Sequence, residues 1–331
     1  MLDAIYYLCF TKSYFGRSDQ LSARTGFQGF RIDGRFNDGE REQPVVCVYR
    51  ESGKKELTVD NEPCTKFSSH IGKFPAVIIA PDDISLITGP GNERRRFMDT
   101  LLSQLIPGYI DQLIRYNKVL LERNGLLKKM AEGSIRDYAL LDILDEQLAG
   151  HGSMIYRNRA GFVTSFFEDV QSFYANIAGE KETVQMQYKS HLSSGSLLNL
   201  LRESRDRDLA SQRTNSGVHR DEIEIFMDDQ PFRALASQGQ RKSLLFAIKL
   251  AEFVSLRKAK GFAPILLLDD IFEKLDEGRM MNLLRWVYSE NDGQVFITNT
   301  HCERIKAIMD QLMAQYQLIE LKEENALKTS A

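Results

Sequence analysis

The chain has 331 residues, of which 43% are hydrophobic and 27% are charged, as in a folded globular protein rather than a disordered or fibrous one. Its formal net charge is −3, which excludes a strong overall basic field, so any nucleic-acid site must be a local patch. No apolar run is long enough to cross a bilayer, and no secretory signal pattern is present. We therefore expect a cytoplasmic protein without a membrane partner.

The cysteines indicate the same compartment. They lack the C-x-x-C spacing of zinc and redox sites, and no pair of histidines completes a zinc set. We expect free thiols in a reducing environment. The cysteines are Cys9, Cys47, Cys64 and Cys302.

The first residues predict an amphipathic helix, because Leu2, Ile5 and Leu8 fall on one face. No capping residue precedes this helix. We interpret it as the continuation of an element that lies before residue 1. This predicts an amino-terminal truncation or a misplaced start codon.

Strands and turns follow the first helix. Residues 30–59 predict a β-meander, because hydrophobic residues alternate with polar ones between turn signals. Residues 76–80 predict a buried strand that Pro81 stops. After a Gly-Pro-Gly loop, Asn92 is predicted to cap the next helix.

From residue 99 to about residue 179 the pattern becomes helical. Hydrophobic stripes predict helices that pack side by side in an antiparallel, coiled-coil-like arm. Such stripes usually belong to a core, and a surface for a partner protein is the alternative. The stripes are Tyr109, Leu113, Tyr116 and Leu120 in one helix and Phe162, Phe166, Phe173 and Ile177 in another.

Strands return after residue 183, and a long helix is predicted over residues 240–260. Residues 265–268 are apolar without alternation, which indicates a strand buried on both faces of a parallel sheet. The last strand is predicted over residues 294–298. The predicted fold is an α/β head that a helical insertion divides, with head parts at residues 1–98 and 183–331 and the insertion at residues 99–182.

Two segments of the second head part can carry chemistry. Ser237 and Gly239 open the long helix, so a hydroxyl and a bare backbone N–H lie at the positive end of the helix dipole and suit a phosphate. Asp269 and Asp270 follow the buried strand, at the edge where open α/β sheets bind ligands. One carboxylate can hold Mg²⁺, and the other can orient or deprotonate an attacking water.

A basic run gives a weaker signal. Arg94, Arg95 and Arg96 could contact the phosphates of DNA, although a solvated helix face is the commoner fate of such a run. His301 follows the last strand, where a γ-phosphate sensor could lie. A solvated or helix-capping histidine is the alternative.

Taken in order, the motifs resemble those of the RecF family, bacterial recombination and repair ATPases of the SMC-like branch of the ABC ATPases. Residues 2–8 resemble the helix after the family's phosphate loop. Residues 82–99 resemble its Pro-Glu-Asp and Arg-Arg-x-Phe-Leu-Asp blocks, and residues 216–222 its Gly-Pro-His-Arg-Asp-Asp motif, with Val218 in place of proline. The resemblance covers nearly the entire chain. It implies an ABC/SMC-type ATPase head, with a mixed sheet, an antiparallel β-meander and an inserted α-helical arm.

The resemblance also implies roles for single residues. Asp269 resembles the Walker B aspartate that binds Mg²⁺, Asp270 the catalytic carboxylate and Asp276 the D-loop aspartate. The other residues that it places at the nucleotide are Asp82, Ser237, Gln238, Gly239, Gln240 and His301, of which residues 237–240 resemble the ABC signature.

One departure from the family concerns the phosphate loop. No G-x-x-x-x-G-K-[ST] occurs in the chain, and in the family this loop lies immediately before the helix that starts this chain. Its amides and lysine hold phosphates, and its Ser or Thr binds Mg²⁺. We therefore expect the chain as given to bind ATP poorly and to hydrolyse it negligibly.

The resemblance implies a DNA repair protein that binds single-stranded and gapped double-stranded DNA as an ATP-dependent homodimer. It would act with RecR and RecO to place RecA on DNA. In this mechanism Ser237 and the amide of Gly239 reach the nucleotide of the other protomer. Two alternatives stay open: a different SMC-like or transporter-type ABC ATPase, and a nucleotide-free scaffold that binds DNA or partner proteins, which the missing loop favours.

Overall fold

The structure is a computed structural model that describes residues 1–37, 41–178, 182–270, 277–299 and 302–320, without the side chains of residues 277, 302 and 304. The strands are β1 (Phe30–Asn37), β2 (Glu42–Tyr49), β3 (Lys55–Val59), β4 (Glu62–Pro63), β5 (Ala76–Ile79), β6 (Gln185–Lys189), β7 (Glu222–Met227), β8 (Gln230–Pro231), β9 (Ile265–Asp269) and β10 (Val295–Thr298). The helices are α1 (Leu2–Phe10), α2 (Asp19–Ser22), α3 (Ser85–Thr88), α4 (Gly91–Leu105), α5 (Tyr109–Ala131), α6 (Tyr138–Ala178), α7 (Leu197–Glu203), α8 (Arg205–Ser211), α9 (Phe232–Leu235), α10 (Gln238–Lys260), α11 (Glu277–Glu290) and α12 (Cys302–Gln311).

A parallel sheet of β5, β9 and β10, with β9 in the middle, separates two hydrophobic clusters. Ile78 and Leu267 belong to the cluster shared with α1 and the meander. Val77, Leu266 and Leu268 belong to the cluster shared with α10 and the arm. Successive side chains on a strand point to opposite faces, so both faces of β9 are covered. The prediction of a strand buried on both faces is confirmed.

The predicted meander is confirmed as the antiparallel sheet β1-β2-β3-β4. Exposure alternates along β1 between half-buried and exposed residues, as the sequence pattern indicated. Helix α1 packs closely on this strand, because a Cβ added at Gly34 would lie 2.4 Å from Cδ1 of Leu8. As predicted, α1 begins at Leu2 without a side-chain cap.

Helix α4 begins two residues earlier than predicted. Pro90 is its N-cap, with φ of −69° and an extended ψ of 165°, and the helix starts at Gly91. The prediction that Asn92 caps the helix was therefore wrong. Asn92 lies within the first turn, where its Nδ2 donates to Oε1 of Glu93. The predicted start of the insertion, residue 99, falls within α4, and the division into three parts stays a prediction.

The arm consists of α5 and α6 packed side by side. Helix α6 has 41 residues and is about 60 Å long. Its first half contacts α5, where Nδ1 of His151 lies 2.8 Å from Oε1 of Gln112. Its second half contacts α10, where Lys258 pairs with Asp169. The two predicted stripes are core, because Tyr109, Tyr116, Phe166 and Ile177 are buried and the other four residues pack on the same cluster.

A fully buried network of ion pairs joins the two helices of the arm to each other and to α8. The Arg123 guanidinium on α5 donates to Asp145 on α6 at 2.6 Å and to Asp208 on α8 at 2.8 Å, and all three side chains are 0% exposed. Its Nη1 also donates to Oγ1 of Thr214 at 2.9 Å. Two carboxylates pair the buried charge, which would be costly to leave unpaired in the interior, although Nη2 of Arg123 has no hydrogen-bond partner among the described residues.

The third sheet, β6-β7-β8, is antiparallel. Asp228 and Asp229 join β7 to β8 in a tight turn, with φ of 50° and 60°. Cys9, Cys47 and Cys64 are free thiols, as expected. Among the helices described, none is long and apolar enough to cross a membrane.

Candidate functional site

The predicted carboxylates lie at one edge of the parallel sheet. Asp269 is the last residue of β9, and its Oδ1 accepts a hydrogen bond of 2.6 Å from Oγ1 of Thr298 at the end of β10. Asp270 has a φ of 46°, a left-handed conformation uncommon outside glycine, so the backbone turns sharply after the strand. Parallel strands end at the same edge, where α/β sheets bind ligands. Carboxylate oxygens there fit Mg²⁺.

Asp82 belongs to the same edge, because it lies in the 3₁₀ turn Pro81–Ile84 that follows β5. Its neighbour Asp83 is held from several sides. Oδ2 of Asp83 accepts a hydrogen bond of 2.9 Å from the backbone N–H of Ala80, and the Tyr14 hydroxyl donates to Oδ1. Asp83 therefore anchors the turn, while Asp82 is exposed.

A cavity of about 260 Å³ opens beside this turn. Its wall includes Lys249 and Glu252 of α10, both 4% exposed. Nζ of Lys249 lies 3.4 Å from Oε2 of Glu252 and 3.9 Å from Oδ2 of Asp83. Although burial lowers the pKa of Lys249, the carboxylates of Glu252 and Asp83 outweigh that effect and raise the pKa, so the ammonium stays protonated. The sequence signal for this cluster was a Lys and a Glu three residues apart in the otherwise apolar run of residues 244–254.

The predicted phosphate-binding segment forms the start of α10. Ser237 is the N-cap: its Oγ accepts from the N–H of Gln240 at 3.2 Å, and its own N–H donates to Oε1 of Gln240 at 2.8 Å. This reciprocal capping box uses the Gln240 side chain. The backbone N–H groups of Gln238 and Gly239 lie in the first turn of α10, where an α-helix provides no carbonyl acceptor for them. Ser237 and Gln238 are exposed.

The two halves of the predicted site are far apart within the chain. Lys249, which reaches the Asp83 turn, lies twelve residues along α10 from Ser237. This corresponds to about 18 Å along the helix axis. The structure therefore brings Asp82 and Asp269 to one edge and leaves the start of α10 remote from them.

The three consecutive arginines have different surroundings. Nη1 of Arg94 donates to the carbonyl oxygen atoms of Leu86 and Gly89 at 3.3 and 3.1 Å. Nη1 of Arg95 donates to the carbonyl oxygen of Asp221 at 2.6 Å. Arg96 is exposed and lines the cavity beside the Asp83 turn. Of the three, Arg96 has the most exposed side chain, and Arg94 and Arg95 bond to other segments of the chain.

Another network was not anticipated from the sequence. Arg159 of α6 contacts Asp99 at 2.8 Å, Asp221 at 2.7 Å and the carbonyl oxygen of Val218 at 2.8 Å. Burial lowers the pKa of the neighbouring His219 to about 4, so that imidazole is neutral at pH 7.

The predicted residues Asp276 and His301 lie outside the residues that the structure describes.

Comparison with solved structures defines the class. The chain superposes on a crystal structure of an Smc head bound to the C-terminal winged-helix domain of ScpA with a TM-score of 0.50 and 13% identity, covering 93% of this chain and 80% of that one. The fold is that of an SMC-like, ABC-type ATPase head, as the sequence motifs predicted.

The particular family follows from closer relatives. The chain is 41% identical to the DNA replication and repair protein RecF of Flavobacterium johnsoniae, over 97% of this chain and 89% of the relative. It is 38% identical to RecF of Bacteroides fragilis, over 97% and 86%. A solved structure of the recombination mediator protein RecF-ATPrS in the RecFOR pathway matches with a TM-score of 0.84 and 28% identity, over 92% and 83%. No protein-family model matches the chain. The chain belongs to the RecF family.

Proposed function

We propose that this chain is a DNA replication and recombinational repair protein that binds DNA at single-strand gaps as an ATP-dependent homodimer. It assists the loading of RecA together with RecR and RecO. The observation that carries the proposal is the 41% identity to a DNA replication and repair protein over 97% of the chain. The alternative is a nucleotide-free scaffold that binds DNA or partner proteins, and the experiment below separates the two.

The geometry of α10 supports the homodimer. Ser237 and Gln238 are exposed at the positive end of a helix, where anions bind. The start of this helix is about 18 Å along the axis from the residue that touches the Asp83 turn. A phosphate at the sheet edge of one protomer is therefore within reach of Ser237 only if Ser237 comes from the other protomer. The exposed cap is complementary to such a contact.

In this proposal Asp269 holds Mg²⁺, and Asp270 orients or deprotonates the attacking water. Thr298 fixes Oδ1 of Asp269 by a hydrogen bond, which orients the carboxylate before a metal arrives. Mg²⁺ is usually bound by one or two carboxylates together with phosphate oxygens. Asp82, exposed at the same edge, is a further candidate ligand for nucleotide or metal. Gly239 would offer its N–H to the phosphate.

The proposal is tested by DNA binding. Fluorescence anisotropy with a labelled gapped duplex and an intact duplex of equal length, with and without ATP and Mg²⁺, is expected to show tighter binding to the gap and a further gain with nucleotide. The nucleotide effect is expected in a version of the chain that carries a G-x-x-x-x-G-K-[ST] loop ahead of Met1. Equal binding of both duplexes would contradict the proposal. Gap preference without any nucleotide effect in either version would favour the scaffold.

The two carboxylates at the end of β9 are expected to have separable roles. In the version with the phosphate loop, Asp270→Asn should slow ATP hydrolysis by roughly a hundredfold or more, the range for removal of a general base, with ATP-bound dimers intact. Asp269→Asn should instead weaken Mg²⁺-dependent ATP binding. Steady-state hydrolysis and equilibrium binding of ATP measure the two effects. Each change removes a charge and keeps the shape, and an equal loss of ATP affinity in both variants would show that the two roles are wrongly assigned.

A further inference from the structure

We propose that Lys12 and Arg96, together with the cavity between the end of α1 and helix α5, form a binding site for one nucleotide unit of a single DNA strand. The phosphate would lie between the two cations and the base in the cavity. This site deepens the proposed DNA binding and rests on it. It is distinct from the carboxylates at the end of β9 and from the cap at Ser237.

The first observation concerns the two cations. In the part of the chain that the structure describes, neither Lys12 nor Arg96 has a carboxylate within ion-pair distance, whereas Arg94 and Arg95 both pair with Glu222. Burial and the nearby Arg96 guanidinium lower the pKa of the Lys12 ammonium. Two like charges held close together in a concave surface are unfavourable by themselves. An anion between them would relieve the repulsion.

The second observation is the shape and charge of the cavity. It measures about 630 Å³, within the range of roughly 300–1,000 Å³ typical of ligand sites. Its wall carries four cations, Lys12, Arg95, Arg96 and Arg159, against one carboxylate, Asp99. Arg159 pairs with that carboxylate and with Asp221, and Arg95 pairs with Glu222, so Lys12 and Arg96 are the wall cations that lack an ion pair among the described residues. The local charge is therefore positive on a chain whose net charge is −3.

The third observation concerns which of the two cavities the base would enter. Lys12 and Arg96 line both cavities and form the ridge between them. Apart from the ridge, the smaller cavity carries one cation, Lys249, and four carboxylates, so its negative lining repels a phosphate: Asp82, Asp83, Glu93 and Glu252. The larger cavity presents apolar and aromatic side chains, among them Phe10, Phe67 and Leu113, with Ile114 55% exposed. A phosphate on the ridge thus places the aromatic face of its base against the wall of the larger cavity.

These surroundings match a nucleotide in a single strand. A base must leave its stack to enter a cavity, which is least costly where the strand is unpaired. Aromatic and apolar walls accept any base face, so we expect little sequence preference. The same chemistry would also accept a free nucleoside monophosphate, and the experiment separates the two sources.

The test compares the full chain with Lys12→Gln, Arg96→Gln and a control, Lys118→Gln. Lys118 is 76% exposed on α5 and pairs with Glu122, and its replacement changes the net charge equally. Binding of a labelled single-stranded oligonucleotide is measured by anisotropy over a range of salt concentrations. Each cation that contacts a phosphate contributes about 0.7 to the slope of log K against log salt for a single strand. Lys12→Gln and Arg96→Gln should each lower the slope by about that amount, and Lys118→Gln should not.

The base is tested with an oligonucleotide whose bases are removed. The parent protein should bind it on the order of tenfold more weakly than the normal oligonucleotide, and Ile114→Asn should reduce that difference. Calorimetric titration with dAMP distinguishes a DNA strand from a free nucleotide as the ligand. A heat of binding that is lost in Arg96→Gln and kept in Lys118→Gln indicates that the free nucleotide also binds. No heat of binding to the parent indicates that only a strand binds.

The site is overturned if both charge variants keep the slope of Lys118→Gln, or if the abasic oligonucleotide binds the parent as tightly as the normal one. These outcomes leave the proposed function intact when gapped DNA still binds. If the parent binds no DNA at all, the proposed function fails, and the dAMP titration still decides whether this site takes a nucleotide. Unchanged circular dichroism melting curves identify variants that are folded.

Discussion

Ser237→Arg, in the version of the chain with a phosphate loop, is expected to weaken the ATP-dependent dimer on the order of a hundredfold. Ser237 is exposed at the start of α10 and remote from the sheet edge of its own chain, so it would serve the nucleotide of the other protomer. A hydrogen bond to a charged group contributes about 1.5–3 kcal/mol, which is roughly ten- to a hundredfold in affinity. The arginine side chain would add steric exclusion at the contact.

Sedimentation velocity with ATP and Mg²⁺ measures the dimer, and equilibrium ATP binding measures the protomer's own site. The variant should lose the dimer and keep ATP affinity. Ser165→Arg, at an exposed position of α6, adds the same side chain elsewhere and should leave the dimer intact. An unchanged dimer in the Ser237 variant would refute the proposed arrangement of two protomers around ATP.

Arg123→Met is expected to lower the free energy of unfolding by about 3–5 kcal/mol, the usual cost of breaking a buried ion pair by removing one partner. The variant leaves Asp145 and Asp208 buried without their cation, and both carboxylate side chains are 0% exposed. Urea denaturation followed by circular dichroism measures the change. Parent and variant are fitted with one common slope of unfolding free energy against urea concentration.

Arg31→Met is the matched control for this experiment. Arg31 pairs with Asp33 at 2.8 Å, but the two side chains are 63% and 54% exposed. An ion pair at the surface contributes about 0–1 kcal/mol, so this variant should be nearly as stable as the parent. Similar losses of unfolding free energy in both variants would show that the buried network does not stabilise the arm.

The start of α10 illustrates what local sequence can specify. Ser237 and Gln240 form the capping box within four residues of chain, so its hydrogen bonds require no tertiary contact. The helix nevertheless begins at Gln238, two residues before the predicted start, because the box places the N-cap at Ser237. At α4 the prediction failed for a comparable local reason, since Pro90 rather than Asn92 occupies the N-cap.

The sequence by itself determined the meander, the strand β9 and the position of Asp269 and Asp270 at its end. These features depend on apolar periodicity and on turn residues, which act over a few neighbouring positions. The motifs of the RecF family could likewise be recognised in the sequence, in their usual order. The physical reason is that backbone hydrogen bonding and burial of one or both strand faces follow from the local pattern of side chains.

Only the tertiary structure decided which charged residues are available. Arg95 and Arg96 are adjacent in sequence, yet Arg95 bonds to the carbonyl oxygen of Asp221, 126 residues away, and Arg96 lines two cavities. Arg123 likewise meets Asp208 across 85 residues. Local periodicity carries no information about such partners, because they are brought together by the packing of the arm on the head. The same packing creates the cavity between α1 and α5.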